Sequence, residues 1–250
     1  MKVKFPLPWW EGMKGRGKNR IDEEKKRRAA IFLDRDGTIN EEVGYMDRLE
    51  KLRLIPGAAE AIRLINASGM KAVVVTNQSG VARGIFTESF VAEIHARLVE
   101  MLRAEGASLD GIYFCPHHPT EGRGDYLRVC ACRKPAPGLL LRAAAELHLD
   151  PARSYMVGDT LKDIEAGGRA GAQGILVRTG YGEEAAAELG PDEEPRKHGD
   201  MMPHRVPAMM PHRVPIEKAG AQRETGIVRP VHIAGDLLAA VKWILRNRKP

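Results

Sequence analysis

Two aspartates two residues apart, Asp34 and Asp36, close a short apolar run, Ala30-Ile31-Phe32-Leu33, and lead into Gly37-Thr38. A run of that length ending in charge reads as a buried strand. Both carboxylates then stand near its carboxyl end, the edge where open α/β sheets bind ligands. Gly37 permits a turn directly after them. Further polar groups follow other apolar runs: Thr76-Asn77-Gln78-Ser79, Arg133-Lys134, and Gly158-Asp159 with Asp163. If those runs are neighbouring strands, carboxylates, hydroxyl, amides and a lysine converge on one edge. Such a set can supply a nucleophile, an acid–base pair and charge neutralisation.

A second cluster has different chemistry. The three cysteines, Cys115, Cys130 and Cys132, fall in one short window, with His117 and His118 beside the first. A disulfide between Cys130 and Cys132 has poor geometry at that spacing. Clustered cysteines without a secretory signal read as metal ligands in a reducing compartment. Two close pairs, Cys115 with a histidine and Cys130 with Cys132, suit tetrahedral Zn²⁺. Four protein ligands leave no open position, so that zinc is structural, stapling the 115–132 loop beside Arg133-Lys134.

The elements that must position these groups are legible as an alternation. Strands are expected at Ala30 to Leu33, Lys71 to Val75, Ile112 to Phe114, Tyr155 to Val157, Gly174 to Val177 and Val231 to Ile233. Helices are expected at Pro56 to Ser68, Phe86 to Ala104, Pro137 to Leu149, Leu161 to Ala170 and Ala234 to Arg248. His95 and His148 fall on these helices and read as packed or solvated. Strand–helix alternation implies a doubly wound, mainly parallel α/β sheet of Rossmann type. Only 37 residues separate Thr38 from Thr76. That leaves no room for a large cap domain, so short loops select the substrate.

The chain has 250 residues, with 39 Lys+Arg against 33 Asp+Glu and a net charge of +6. Residues 1–28 carry ten basic and four acidic side chains, which is the whole excess. The pattern is a basic flexible tail, with Trp9 and Trp10 in it, on a neutral domain spanning 29–250. No run of about 18 apolar residues is present, so no membrane span is expected. Residues 183–225 hold six prolines and a tandem MMPHRVP at 201–207 and 209–215. Two copies are too few for a solenoid, and the stretch reads as a low-complexity, disordered insert.

The motifs together resemble the haloacid dehalogenase (HAD) superfamily of aspartate-nucleophile phosphatases. The resemblance rests on Asp34-x-Asp36-Gly37-Thr38, a strand-ending Thr76, Lys134, and Gly158-Asp159 with Asp163, over 30–180 and 227–248. FLDRDGTIN, Gly44-Tyr45, TNQSGVARG, CPHHP with CACRKP, and Pro137-Gly138 narrow it to the histidinol-phosphatase-like branch, and within it to the D-glycero-D-manno-heptose 1,7-bisphosphate 7-phosphatases.

The resemblance implies Asp34 as nucleophile, forming an aspartyl-phosphate, and Asp36 as general acid and then base. Thr76 donates to the phosphoryl group and Lys134 balances its charge. Catalytic Mg²⁺ is held by Asp34, the Asp36 carbonyl and Asp159, and structural Zn²⁺ by Cys115, His117, Cys130 and Cys132. Asp163 orients Lys134 or the metal waters, or is a helix surface charge. Glu42, Val43, Gly44, Tyr45, Thr76, Asn77, Gln78, Ser79, Arg133 and Lys134 contact the sugar bisphosphate. Arg83 touches a phosphate or caps a helix. A cytoplasmic monomer is implied, feeding a lipopolysaccharide-type pathway and binding no nucleic acid. The competing substrates are histidinol phosphate and, because of the basic tail, a polynucleotide 3′-phosphate. The 12 residues between His117 and Cys130 and Gln78-Ser79-Gly80 argue against the first. The metal ligands and the lack of aromatics for base stacking argue against the second.

Overall fold

The structure is a computed structural model that describes residues 27–190 and 228–248. Six strands form one sheet: β1 (Ala30–Leu33), β2 (Lys71–Asn77), β3 (Gly111–Cys115), β4 (Tyr155–Gly158), β5 (Gln173–Val177) and β6 (His232–Ala234). Their order is β3-β2-β1-β4-β5-β6, and every pair is parallel. The chain moves outward from β1 to β2 and β3, then returns to the other side of β1 for β4. That reversal opens a crevice at the carboxyl ends of β1, β2 and β4.

The strands are apolar on both faces, as a parallel sheet covered on both sides requires. Ile31 and Leu33 of β1 face one core, with Val74, Val157 and Val177. Helices α1 (Ala58–Ala67), α2 (Glu88–Ala104) and α6 (Leu237–Asn247) cover it through Ile62, Leu98 and Ile244, all fully buried. Ala30 and Phe32 face the other core with Val73, Val75 and Met156, under α3 (Gly138–Glu146) and α4 (Leu161–Ala170). Helix α5 (Gly182–Glu188) closes a smaller cluster of Ile164, Leu176, Ala185 and Leu189.

The helix ends follow local chemistry. Thr87 caps α2 by accepting from Phe90 N–H at 3.2 Å, so that helix starts two residues after Phe86. Helix α4 opens on a capping box between Thr160 and Asp163 and closes at Gly171, φ 91°. Helix α3 stops at Glu146, not Leu149, and His148 sits beyond it at φ 54°. The expected irregular insert is corrected at its start. Residues 183–188 are helical and Leu189 is buried, because Ala185 and Leu189 supply one apolar side. The tail through residue 26, with its tryptophans, and the MMPHRVP repeat lie outside the described residues.

Helix α6 returns the chain to the core after the insert, and Asp236 caps it by accepting from Ala239 N–H at 2.7 Å. Asp236→Ala is expected to lower stability by about 1 kcal/mol. Thermal unfolding should show a fall of roughly 2–4 °C.

Candidate active site

Asp34 extends β1 by one residue, its N–H donating to Val157 O at 2.9 Å. The backbone then folds back: Ile39 N–H donates to Arg35 O and Gly37 N–H to Asn40 O, both at 2.8 Å. Gly37 stands at φ +74°, and a Cβ there would overlap the Asp159 carboxylate. The sequence Asp-x-Asp-Gly therefore lets one loop present two carboxylates while pressing its backbone against a third.

Lys134 is 3% exposed, yet charged. Its Nζ lies 2.9 Å from Asp34 Oδ1 and 2.6 Å from Asp163 Oδ1, and donates to Val75 O at 2.9 Å. Burial alone would push its pKa down, but Asp163 and Asp34 more than offset that and raise it. Asp163 is fully buried, so it is no surface charge. Its Oδ2 accepts from the Thr160 N–H and hydroxyl at 3.0 and 2.7 Å, leaving Oδ1 for the lysine.

Asp36 is held by a different cation. Arg35, 1% exposed, donates from Nε to Asp36 Oδ1 at 3.1 Å and from Nη2 to Oδ1 and Oδ2 at 2.9 and 2.7 Å. Asn40 and Gln78 add amide donors, each at 2.9 Å. Burial pushes the Asp36 carboxyl up, but Arg35 and these donors outweigh it and hold it below the usual range. Asp34 and Asp159 are shifted the other way. Burial pushes Asp34 up to about 7, against the pull of Lys134. Burial, then Asp34 and Asp163, push Asp159 up to about 8.

A cavity of about 140 Å³ opens over these groups. It brings together Asp34, Asp36, Glu42, Gly44, Tyr45, Thr76, Asn77, Gln78, Ser79 and Asp159 from the sequence-derived set. Val43 stays on the outside, and Arg133 points away, donating to His117 O at 3.0 Å. The Asn77 amide is occupied on both sides by the Lys134 backbone, at 3.1 Å each way. It therefore fastens the lysine segment to β2. Arg83 neither caps a helix nor reaches the cavity; it pairs with Glu121 and His118. Arg35, Phe86 and Tyr181 also line the cavity and were missed from sequence. Arg35 carried a signal, a cation between two aspartates. Tyr181 carried none, since its backbone N–H makes the contact, donating to Asp159 Oδ2 at 2.9 Å.

Beside Lys134, the Cys115, Cys130 and Cys132 sulfurs lie 3.2 to 3.5 Å apart. His117 Nδ1 lies 3.5 Å from Cys115 and 3.3 Å from Cys132. Sulfurs around one tetrahedral zinc sit about 3.8 Å apart, so this cluster is close to that geometry. Hydrogen bonding between the thiols holds Cys132 down to about 5 and, with burial, pushes Cys115 up. His118 turns away, its Nδ1 accepting from Glu121 N–H at 2.9 Å. The oxygens of Asp34, Asp159 and Asp163 form the other group able to hold an ion among the described residues. Hard oxygen donors with carboxylates starved of positive charge fit Mg²⁺.

A HAD-hydrolase-like family matches residues 131–201. D-glycero-β-D-manno-heptose-1,7-bisphosphate 7-phosphatase of Pasteurella multocida (strain Pm70) is 48% identical over 152 residues, 60% of this chain and 82% of that one. The enzyme of that name from Escherichia coli (strain K12) is 48% identical over 60% of this chain and 80% of its own. Among solved structures, D,D-heptose 1,7-bisphosphate phosphatase from B. bronchiseptica, complexed with magnesium and phosphate, superposes with TM-score 0.66. It is 29% identical and covers 87% of this chain and 98% of that one. No described helix is long and apolar enough to cross a membrane.

The raised pKa values of Asp34 and Asp159 set the pH response of the metal-free protein. Their folded values, about 7 and about 8, exceed the usual 3.8. Their stabilisation is complete below pH ~4 and lost as pH rises through ~8. Asp159→Asn removes one such charge. In chelator, the variant is expected to melt above the wild type at pH 8, with the gap shrinking towards pH 5. Equal gaps in thermal melts at the two pH values would contradict the charge cluster.

Proposed function

The chain belongs to the D-glycero-β-D-manno-heptose-1,7-bisphosphate 7-phosphatase family of HAD-type phosphatases, and from that premise we propose how its residues divide the reaction. Its activity is that of a phosphoric monoester hydrolase acting on the 7-phosphate of D,D-heptose 1,7-bisphosphate. The β anomer, which the relatives' names specify, is the proposed substrate form. The observation that carries the residue roles is the opposed treatment of two carboxylates in one cavity. Asp34 is paired with buried Lys134, and Asp36 is clamped by Arg35.

Asp34 is the nucleophile. Its carboxylate oxygen bonds to phosphorus as the bond from phosphorus to O7 of the sugar breaks, giving an aspartyl-phosphate. Asp36 gives its proton to the departing alkoxide, then takes one from the water that releases phosphate from Asp34. In the resting site Asp36 is ionised, and an arriving phosphate dianion adds like charge that favours its protonation. The Thr76 hydroxyl accepts from Gln78 Nε2 at 3.0 Å, which leaves its proton for a phosphoryl oxygen. Lys134 sits where charge builds on the transferring group. Glu42, Gly44, Tyr45 and Ser79 form the wall against which the sugar is selected.

The residues fit two ions. Mg²⁺ would be held by Asp34, the Asp36 carbonyl and Asp159, and when bound it supplies the charge that lets carboxylate and phosphate approach. Zn²⁺ would be held by Cys115, His117, Cys130 and Cys132, with no open position for chemistry. Its role is to hold the segment that carries Lys134.

Phosphate release with Mg²⁺ should favour the heptose bisphosphate over histidinol phosphate and a 3′-phosphorylated oligonucleotide by at least tenfold in kcat/KM. Asp34→Asn should abolish turnover while leaving the folded circular-dichroism spectrum intact. A preference for either other substrate, or an active Asp34→Asn, would sink the assignment. Metal analysis of protein purified without chelator should give about one zinc per chain. Cys132→Ser should lose most of it together with activity; full zinc retention would remove Cys132 from the ligand set.

A further inference from the structure

Arg35 is a buried guanidinium whose side-chain partners among the described residues are Asp36 and His95. Asp36 takes Nε and Nη2. Nη1 lies 3.2 Å from His95 Nε2. A guanidinium can only donate, so Nε2 of His95 must accept and its ring proton resides on Nδ1. His95 sits on α2, 60 residues along the chain, at 9% exposure. Its ring meets Phe114 of β3 edge-on, with centroids 5.6 Å apart, which fixes the direction of the lone pair. Burial and Arg35 also keep the imidazole neutral, its pKa lowered to about 3. No step of the reaction described above uses it.

We infer that His95 is a positioning residue of the phosphatase site: by accepting from Arg35 Nη1 it locks the guanidinium fork that aims the Asp36 carboxyl at the leaving oxygen. A fork has two arms. Without an acceptor on the outer arm, Arg35 leaves a buried N–H unpaired, a cost comparable to a lost hydrogen bond. It relieves that cost by swinging off Asp36. The carboxyl then keeps the Asn40 and Gln78 amides but loses the bidentate grip that sets its angle. His95 thus touches neither substrate nor reacting atoms, and acts only through Arg35. The inference rests on Asp36 serving as the acid.

The leaving group separates this role from general support of the fold. Expulsion of a sugar alkoxide needs a proton; expulsion of 4-nitrophenolate does not. Acceptor-free His95→Leu and His95→Phe are expected to lose about tenfold or more in kcat/KM on the heptose bisphosphate. On 4-nitrophenyl phosphate they should lose about twofold or less, with inhibition by inorganic phosphate unchanged. His95→Gln, whose amide oxygen can accept from Nη1, should recover most of the heptose activity. Two replacements of different shape guard against one failing to fold. Asp36→Ala, measured alongside, should show the same leaving-group dependence more strongly. If Asp36→Ala shows it and the His95 variants lose both substrates equally, or neither, the positioning role is wrong. If Asp36→Ala shows no such dependence, the acid assignment itself falls and takes the inference with it.

Discussion

A buried lysine ammonium is the constraint around which this molecule is arranged. Lys134 Nζ is surrounded by Asp34, Asp163 and the Val75 carbonyl. A buried ion pair contributes little net stability, but removing one partner costs roughly 3–5 kcal/mol because the other charge is stranded. The fold must therefore deliver all three acceptors together. Each comes from a different strand end: Val75 from β2, Asp34 after β1, Asp163 from the first turn of the helix after β4. Sheet register, and not loop flexibility, sets their spacing.

The lysine itself comes from a loop, and loops do not hold positions to fractions of an ångström unaided. Two devices compensate. The Asn77 amide pairs with both the N–H and the carbonyl of Lys134, pinning its backbone to the end of β2. On the preceding side, Cys132 belongs to the cysteine–histidine cluster, and Arg133 ties back to the His117 carbonyl. The loop from 115 to 132 has little apolar core of its own, and the proposed metal staple at its cysteine–histidine cluster would supply what packing cannot. Asn77 lines the cavity and at the same time holds the lysine segment, and Arg133 ties that segment to the His117 backbone.

Much of this was legible in the sequence, for physical reasons. Strands buried on both faces must be continuous apolar runs, and Ala30 to Leu33 or Lys71 to Val75 could be little else. Helix starts were less legible because caps are polar residues outside the apolar period, as Thr87 and Asp236 are. The short helix at Gly182–Glu188 was hidden by composition: six of its seven residues are Glu or Ala, and it abuts a Pro-rich stretch. Asp163 was ambiguous because a first-turn aspartate is usually a cap, and only the tertiary structure shows the second oxygen turned to a lysine. His95 was unreadable. Its helical position is that of any core residue, and its partner Arg35 is adjacent only because α2 lies over the β1 edge.

Asp34 and Asp36 are chemically identical, two residues apart and in one cavity, yet the roles proposed for them are opposite. The difference cannot come from the side chain, so it comes from the cation each is given. Asp34 shares Lys134 with Asp163 and lies near Asp159, so its cation is divided among acids and burial prevails. Asp36 has the Arg35 fork to itself, plus two amide donors, and burial loses. A shared point charge leaves a carboxylate free to move onto an electrophile, whereas a planar fork fixes the plane of the carboxylate it grips. Mobility is what a nucleophile needs and orientation is what a proton donor needs. A lysine beside one and an arginine beside the other fit that proposed division of roles.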